Sequence, residues 1–211
     1  MKQSATKPKG ATSYKETAFG ILPRTKLLPL ELDATKKGLE YIYMLVKKRK
    51  QIRVTPELIC KLHDVSFGWI FPKWAGKFRT IQVIYSDKEA ILYYQVPERM
   101  INLCNDLEIR LNELPTPTSD DFITNVVELI AWFQHAFVFI HPFQDYNGRI
   151  ARMLTTLILL TLSLAPMELT AETEADRKRY LAALQSADAG DYSQLESLMS
   201  QALSEALTSH H

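Results

Sequence analysis

Cysteine is scarce in this chain of 211 residues, and neither sign of charge predominates. The two thiols, Cys60 and Cys104, form no C-x-x-C pair and are too few for a disulfide framework, which predicts two buried thiols in a reducing compartment. Lysine and arginine number 25 against 24 aspartate and glutamate residues, which gives a formal charge of +1. Because nucleic-acid binders use a positive field to collect phosphate, no nucleic-acid partner is expected.

The sequence also lacks an uninterrupted apolar run of membrane-spanning length. Its first 17 residues contain no apolar segment of the kind found in secretory signals. The longest apolar stretch, from Met153 to Met167, is interrupted by threonine and serine and is short for a membrane span, so it indicates a buried helix. We therefore expect no membrane partner and a cytoplasmic location. Secretion into a host by an unrecognised signal is compatible with the same sequence.

The chain divides into an N-terminal arm and one helical domain. Residues 1–30 begin with a stretch rich in lysine, serine, threonine and glycine, which predicts a partly disordered arm, and residues 31–209 form the domain. Apolar periodicity, proline positions and capping residues predict seven helices. The first begins near Asp33, and the others run over about 56–65, 98–112, 122–140, 150–164, 171–187 and 194–208.

One of these helices and one pair of strands define the expected architecture. The helix predicted at 122–140 is apolar on nearly all sides, which is typical of the central helix of a helical domain. Residues rich in β-branched and aromatic side chains at 80–85 and 91–96 flank a polar turn at 86–89, which predicts a β-hairpin. The sequence therefore predicts an all-α fold with a single hairpin flap.

A polar segment, HPFQDYNGRIAR at 141–152, joins two of the buried helices. Asn147 and Gly148 lie at the start of the second helix, where unpaired backbone N–H groups bind anions. Arg149 and Arg152 follow within its first turns, and cations are disfavoured at a helix N-terminus unless an anion is bound there. The pattern indicates a polyphosphate site.

Two further residues of this segment suit the chemistry of a polyphosphate. Asp145 offers a carboxylate to the Mg²⁺ that accompanies such an anion. His141, at the C-terminal end of the first helix, is placed to accept a proton. Each residue alone has a common structural interpretation, but their occurrence on one helix–loop–helix junction favours a catalytic site. A zinc site made of His63, His135 and His141 is disfavoured by their spacing, which leaves His63 and His135 as structural residues.

The segment resembles the Fic motif, HxFx[D/E]GN[G/K]RxxR, at every position but one. The similarity extends to WAGKFR at 74–79, to His135 and to SADAGDYSQL near the C-terminus, and it covers about residues 35–205. On these residues the chain is identified as a member of the Fic family. The resemblance implies the Fic-type helical domain, in which a central helix–loop–helix carries the motif and a hairpin forms a flap.

The resemblance also implies protein adenylyltransferase activity, in which AMP passes from ATP to a serine, threonine or tyrosine hydroxyl of a target protein. His141 would deprotonate that hydroxyl, Phe143 would anchor the loop in the core, and Asp145 would bind Mg²⁺ between the α- and β-phosphates. The phosphates would be held by backbone amides and by Asn147, Gly148, Arg149 (near the β-phosphate) and Arg152 (at the γ-phosphate).

Tyr146 is the departure from the motif, because the family has glycine or alanine there. A tyrosine at this position crowds the diphosphate, reshapes the pocket for another donor, or points to solvent while its N–H still donates. Two alternative functions follow. One is transfer of another nucleotide, or of a phosphoryl group as in Doc toxins, although those carry lysine where this chain has Gly148. The other is a weakened Fic fold that acts as a binding module.

The resemblance implies two kinds of protein partner. The hairpin flap, at about 80–96, would bind the target's main chain as an added strand. The inhibitory sequence of many Fic proteins, [S/T]xxxE[G/N], has only incomplete matches, at 12–17 and 170–175. Inhibition would therefore come from a separate antitoxin-like partner or be lacking. The oligomeric state is left open.

Overall fold

The computed structural model describes residues 14–48, 51–86, 88–169 and 173–208. This part of the chain forms seven α-helices and two small antiparallel hairpins. The strands are β1 (Tyr14–Thr17), β2 (Gly20–Pro23), β3 (Ile84–Tyr85) and β4 (Lys88–Glu89). The helices are α1 (Arg24–Lys48), α2 (Pro56–Phe67), α3 (Val96–Asn112), α4 (Phe122–Ile140), α5 (Asn147–Thr161), α6 (Glu174–Asp188) and α7 (Ser193–Thr208).

Helix α4 is the central element of the fold, as its apolar sequence predicts. It packs against α3, α5, α6 and α7, and Ile130, Phe133 and Phe137 on it are fully buried. Its length and composition also fit a membrane span, but 61% of its apolar window is buried inside the fold, as in the core helix of a globular domain. The all-α prediction with a central helix–loop–helix is confirmed.

The N-terminal region of the domain differs from the sequence-based prediction. The predicted boundary between residues 30 and 31 falls inside α1, which begins at Arg24 and continues through Pro29. Before it, β1 and β2 form a second hairpin, with Glu16 opposite Ile21. This hairpin is held by a tertiary contact, a 2.8 Å hydrogen bond from the backbone N–H of Ala18 to the carbonyl of Ile70. Residues 1–13 of the predicted arm lie outside the described residues.

The predicted flap hairpin is present but shorter than expected. Only two residues pair on each side, with Ile84 opposite Glu89, and part of the expected second strand forms a 3₁₀-helix over Tyr93–Gln95. The ladder ends because side chains take the carbonyls that a longer strand would use. Gln82 donates to the carbonyl of Ala90 (2.6 Å), and Arg79 donates to the carbonyl of Ile91 (2.5 Å).

Both cysteines are free thiols. Burial raises the pKa of Cys60 to about 11 and that of Cys104 to about 12, so both remain protonated at neutral pH. The prediction of a buried thiol is confirmed for Cys104, whereas Cys60 is only half-buried. Neither is the reactive thiolate that a cysteine nucleophile requires.

Candidate active site

The loop between α4 and α5 has left-handed backbone at both ends. His141 ends α4 with φ of 52°, and Tyr146 precedes α5 with φ of 64°. Within the loop, Asn147 accepts from the backbone N–H of Phe143 at 2.8 Å and donates to its carbonyl at 2.9 Å. The Phe143 ring is fully buried. Asn147 therefore fixes the loop conformation and is a structural residue as well as a candidate phosphate ligand.

The protonation state of His141 follows from its contacts. Its Nδ1 lies 3.1 Å from the carbonyl oxygen of Val138, and because a carbonyl only accepts, Nδ1 carries the proton and Nε2 keeps a lone pair. Burial lowers the pKa of His141 to about 4, and the positive charge of Arg79 adds to this effect. The ring of Tyr85, on the flap, stacks on the imidazole at 4.2 Å. The imidazole of His141 is therefore neutral and fixed in orientation at pH 7.

Arg79 holds this base and the flap together, a role that the sequence analysis did not assign. The side chain is 4% exposed, and its Nε donates to the carbonyl of His141 at 2.8 Å. Its other donors reach the carbonyls of Ile81 (3.1 Å) and Ile91 (2.5 Å), while its backbone N–H donates to Pro142 (2.9 Å). The only sequence signal for this role is its position at the end of WAGKFR, directly before the flap.

The start of α5 provides donors for an anion. The backbone N–H groups of Asn147 and Gly148 have no acceptor within the described part of the chain, as expected for the first residues of a helix. Burial lowers the pKa of Arg152, whose hydrogen-bonding neighbour is Tyr180, and no described carboxylate pairs with it. A methyl group at Gly148 would lie 3.7 Å from Nη1 of Arg152, so glycine leaves this face of the guanidinium uncovered. The N–H groups and the guanidinium have the chemistry that an anion requires, and the anion-binding role of these residues stays a prediction.

Both carboxylate oxygens of Asp145 have protein partners. Its Oδ1 accepts a 2.7 Å hydrogen bond from the backbone N–H of Tyr146. Its Oδ2 forms an ion pair with the ammonium group of Lys15, on β1. Lys15 also donates to the Tyr146 hydroxyl at 3.2 Å. The sequence analysis did not predict this contact, because 130 residues separate the two charged groups.

Tyr146 lies in the core, which rules out one of the three alternatives, that its side chain points to solvent. The residue is 8% exposed, and its ring stacks on Phe67 with centroids 4.1 Å apart. Trp74 lies parallel to it at 6.1 Å. The hydroxyl donates to Oε1 of Glu31, on α1, at 2.7 Å, and burial raises its pKa. This packing directs the ring towards α1 and α2.

Glu31 also accepts from Arg149, with Nη2 and Oε2 2.8 Å apart. The guanidinium that the resemblance assigns to the β-phosphate therefore pairs with a carboxylate of the same chain. Its Nη1 is buried and lacks an acceptor among the described residues, and the phosphate-binding role of Arg149 stays a prediction.

The donor set fits a magnesium ion only if a ligand supplies further oxygens. Across the described ranges no group of three or more histidine, cysteine, aspartate or glutamate residues could hold a metal. Asp145 is a single carboxylate, about one-third exposed on its side chain. Mg²⁺ is often bound by one or two carboxylates together with phosphate oxygens, so Asp145 fits an ion that is carried by a nucleotide.

His63 connects the motif loop to the segment before the flap. Its Nδ1 accepts from the backbone N–H of Gly76 at 2.9 Å, so the proton lies on Nε2, which donates to the carbonyl of Asp145 at 3.2 Å. The ring is fully buried and stacks on Phe143 at 3.9 Å. Burial lowers its pKa to about 4. These contacts give His63 the structural role expected from the sequence.

His135, which lies on α4, also has structural contacts. Its ring nitrogens contact Asp188 (3.1 Å) and the hydroxyl of Tyr192 (3.1 Å), both from the SADAGDYSQL segment. Asp188 also forms an ion pair with Lys88 of β4. This chain of contacts fastens the tip of the flap to the end of α6.

The central α4–loop–α5 unit, the short flap and the candidate anion site at the start of α5 define a helical domain of the Fic type. The sequence profile of the Fic/DOC family matches residues 53–159, about half of the chain, and the chain belongs to this family. The fold class and the family inferred from the motif are thus confirmed.

Several named proteins are similar to this chain. "Protein adenylyltransferase Fic" of Nematostella vectensis is 28% identical over 167 residues, which are 79% of this chain and 36% of that protein. "Protein adenylyltransferase fic-1" of Caenorhabditis briggsae is 32% identical over 161 residues, 76% of this chain and 29% of that protein. A solved structure of Fic-1 from C. elegans has a TM-score of 0.64 at 25% identity, covering 84% of this chain and 49% of that one. The chain spans about a third of the length of the curated relatives it matches.

Proposed function

We propose that this domain is a protein adenylyltransferase that transfers AMP from ATP to a serine, threonine or tyrosine hydroxyl of a target protein. The observation that carries the proposal is the state of His141, which is neutral, oriented through Nδ1 and left with a free Nε2 lone pair. The relatives named protein adenylyltransferase support the same reaction.

In this mechanism Nε2 of His141 accepts the proton of the target hydroxyl as its oxygen attacks the α-phosphorus and pyrophosphate leaves. Val138 and Tyr85 hold the imidazole plane, so the base needs little reorganisation before it reacts. The low pKa of His141 makes it a weak base that is unprotonated at neutral pH. Its contribution is therefore correct placement more than basicity.

The start of α5 holds the phosphates of the donor. The N–H groups of Asn147 and Gly148 and the guanidinium of Arg152 neutralise negative charge that increases as pyrophosphate departs. Asp145 would hold a nucleotide-bound Mg²⁺, which supplies further charge neutralisation in phosphoryl-type transfers. Gly148, where a Doc-type lysine would stand, favours AMP transfer over phosphoryl transfer.

The target protein would bind along the flap. The β3–β4 hairpin has only two strands in the described fold, and an extended peptide would add to it as a further strand. Four large apolar residues next to the flap are also exposed, namely Ile81, Leu92, Tyr93 and Tyr94. We infer that they contact side chains of the target and that β3–β4 fixes its main chain.

ATP labelled at the α- or the γ-phosphorus separates the candidate reactions. We expect α-label on protein substrate, or on the domain itself, and no γ-label. His141→Ala should reduce transfer by about 10²- to 10⁴-fold, the usual loss for a general base. Arg53→Ala, which removes a surface ion pair with Glu108 away from the motif loop, is the control and should transfer label as the unmodified chain does. Transfer of γ-label would indicate a kinase, and the absence of both labels would favour a binding module.

A further inference from the structure

We propose that Lys15 is a built-in counter-cation of Asp145 that has to leave the carboxylate before a divalent cation binds there. The proposal rests on the assignment of Asp145 as the cation ligand of the proposed function. It adds a residue from outside the motif, on β1, that controls access to this ligand. Its basis is the Lys15–Asp145 ion pair together with the contacts that hold the lysine in place.

The ammonium group of Lys15 is held from several directions. It donates to the hydroxyl of Tyr146 at 3.2 Å and lies 4.6 Å from the centre of the same ring. The ring of Phe71 is 5.9 Å away. Aromatic faces attract cations at these distances. Only 30% of the lysine side chain is exposed, so this ion pair is less screened by solvent than a surface pair.

The strand that carries Lys15 is anchored to the rest of the domain. Next to it, Glu16 forms an ion pair of 2.6 Å with Lys73. The turn between β1 and β2 adds the hydrogen bond from Ala18 to Ile70 (2.8 Å) and an edge contact between Phe19 and Trp69, with centroids 6.0 Å apart. The hydrogen bond of Ala18 and the ring contact of Phe19 keep the hairpin on the domain, so that β1 presents Lys15 to Asp145, whereas the exposed Glu16–Lys73 pair adds little.

Tyr146 couples this ion pair to a second one. Its hydroxyl lies between Lys15 and Glu31, and Glu31 in turn pairs with Arg149. The two cationic and two anionic groups of this network balance each other. A divalent cation on Asp145 would add positive charge beside the ammonium group, so binding requires Lys15 to move towards solvent.

The network also accounts for the aromatic residue at this motif position. Glycine or alanine has neither the ring nor the hydroxyl that holds Lys15 over the loop. Tyr146 and Lys15 therefore act together. The ring and hydroxyl of the tyrosine hold the ammonium group in place, and the lysine supplies the positive charge beside Asp145.

Binding of the Mn²⁺ complex of a non-hydrolysable ATP analogue to the full chain, followed by electron paramagnetic resonance of the bound Mn²⁺, tests the proposal without measuring activity, because the analogue supplies the further oxygens that the ion needs. We expect Lys15→Met to lower the Kd for this complex by about five- to tenfold, the size expected from removing one half-buried competing ion pair. Lys15→Arg keeps the pair and should bind the complex as the unmodified chain does. Asp145→Asn in the Lys15→Met background should abolish the gain.

Lys73→Met is the matched control. It removes the same charge from a contact with the same hairpin, but Lys73 pairs with Glu16 and not with Asp145. Equal tightening in Lys15→Met and Lys73→Met would overturn the proposal, because a general change of charge would then suffice. An unchanged or higher Kd in Lys15→Met, with a native near-ultraviolet circular dichroism spectrum, would overturn it as well. If Lys15→Met alone tightens binding, the proposal holds even where no α-label is transferred, and only the proposed reaction then fails.

Discussion

The hydroxyl of Tyr146 donates a 2.7 Å hydrogen bond to Glu31, and this bond joins the start of α5 to α1. The residue that departs from the family motif thus has a structural role in this chain. Its ring belongs to the aromatic cluster with Phe67, and its hydroxyl belongs to the charge network beside Asp145.

Tyr146→Phe and Tyr146→Gly separate these two roles. Tyr146→Phe keeps the ring and should lower the free energy of unfolding by about 1–2 kcal/mol, because one buried hydrogen bond is lost. Tyr146→Gly also loses the packed ring, at a cost of about 3–5 kcal/mol, while relief of the left-handed backbone recovers only about 1 kcal/mol. Urea unfolding measures both, and equal effects of the two variants would contradict this division.

The transfer rate of these two variants tests a different question. If Tyr146→Gly transfers more AMP per folded molecule than the unmodified chain, the tyrosine restrains the reaction. In that case Tyr146→Phe should show part of the increase, since it removes the hydroxyl that helps to seat Lys15. The active fraction has to be normalised to folded protein, because Tyr146→Gly is expected to be much less stable.

The pH dependence of transfer should reflect the lowered pKa of the partly buried His141. Since burial lowers its pKa to about 4, the acidic limb of kcat/KM is expected near pH 4 and not near 6.5, the ordinary value for histidine. Activity at pH 5.5 should therefore be close to that at pH 7. A fall in kcat/KM centred near pH 6.5, with the fold intact by circular dichroism, would contradict the burial of this base.

The same shift predicts how stability changes with pH. In the unfolded chain histidine takes up a proton below about pH 6.5, whereas folded His141 stays neutral down to about pH 4. The unfolded state binds more protons in this window, so the contribution of His141 is lost progressively as the pH falls from 6.5 to 4. His141→Asn should show a smaller loss of stability over this range in urea titrations. An identical pH profile for the two proteins would argue against the shift.

Gly38 tests the packing of α1 against α2 and α5. A methyl group there would lie 2.3 Å from Oγ of Ser66 and 2.5 Å from Sδ of Met153. We expect Gly38→Ala to destabilise the fold by about 1–3 kcal/mol through overpacking, although alanine favours a helix by about 1 kcal/mol. Gly148→Ala is the matched helical control, because the nearest atom to its added methyl group, Nη1 of Arg152, is 3.7 Å away and no clash results. Thermal unfolding should show a lower Tm for Gly38→Ala only.

The contact between Lys88 and Asp188 predicts how the flap is held. Asp188→Asn removes the charge that pairs with Lys88 and should increase hydrogen exchange at backbone amides of residues 84–90 several-fold. Asp176→Asn, an exposed change at the other end of α6, is the control and should leave these amides unaffected. Unchanged exchange in Asp188→Asn would mean that other contacts, such as the stacking of Tyr85 on His141, are sufficient to order the flap.

Local patterns in the sequence predict most of the helical framework. Thr55 caps α2 as expected, with its side chain accepting from the N–H of Leu58 at 3.2 Å, and the apolar run of α4 has the predicted bounds. The same reasoning misses β1 and β2. Each strand has only four residues, too few to show a clear alternation of apolar and polar side chains, and contacts with residues 69 and 70 hold the hairpin in place.

The sequence likewise predicts only part of the candidate site. The motif identifies His141, Asp145 and the residues at the start of α5, because they are contiguous in sequence. It does not identify Lys15 or Glu31, whose partners lie 130 and 118 residues away in the chain. Their contacts arise only when α1 packs on α5 and the β1–β2 hairpin reaches the motif loop.

The two hydrogen bonds of His63 set a limit on how the domain can be re-engineered. One imidazole links the backbone of Gly76 to that of Asp145, and only its neutral form offers an acceptor to the first and a donor to the second. If residues 141–152 were replaced by those of a relative, the new loop would still have to pack against the His63 imidazole and the left-handed backbone at Gly76 of this chain. Exchange of residues 141–152 between family members should therefore succeed only when α2 and the stretch up to Arg79 are transferred as part of the same cassette.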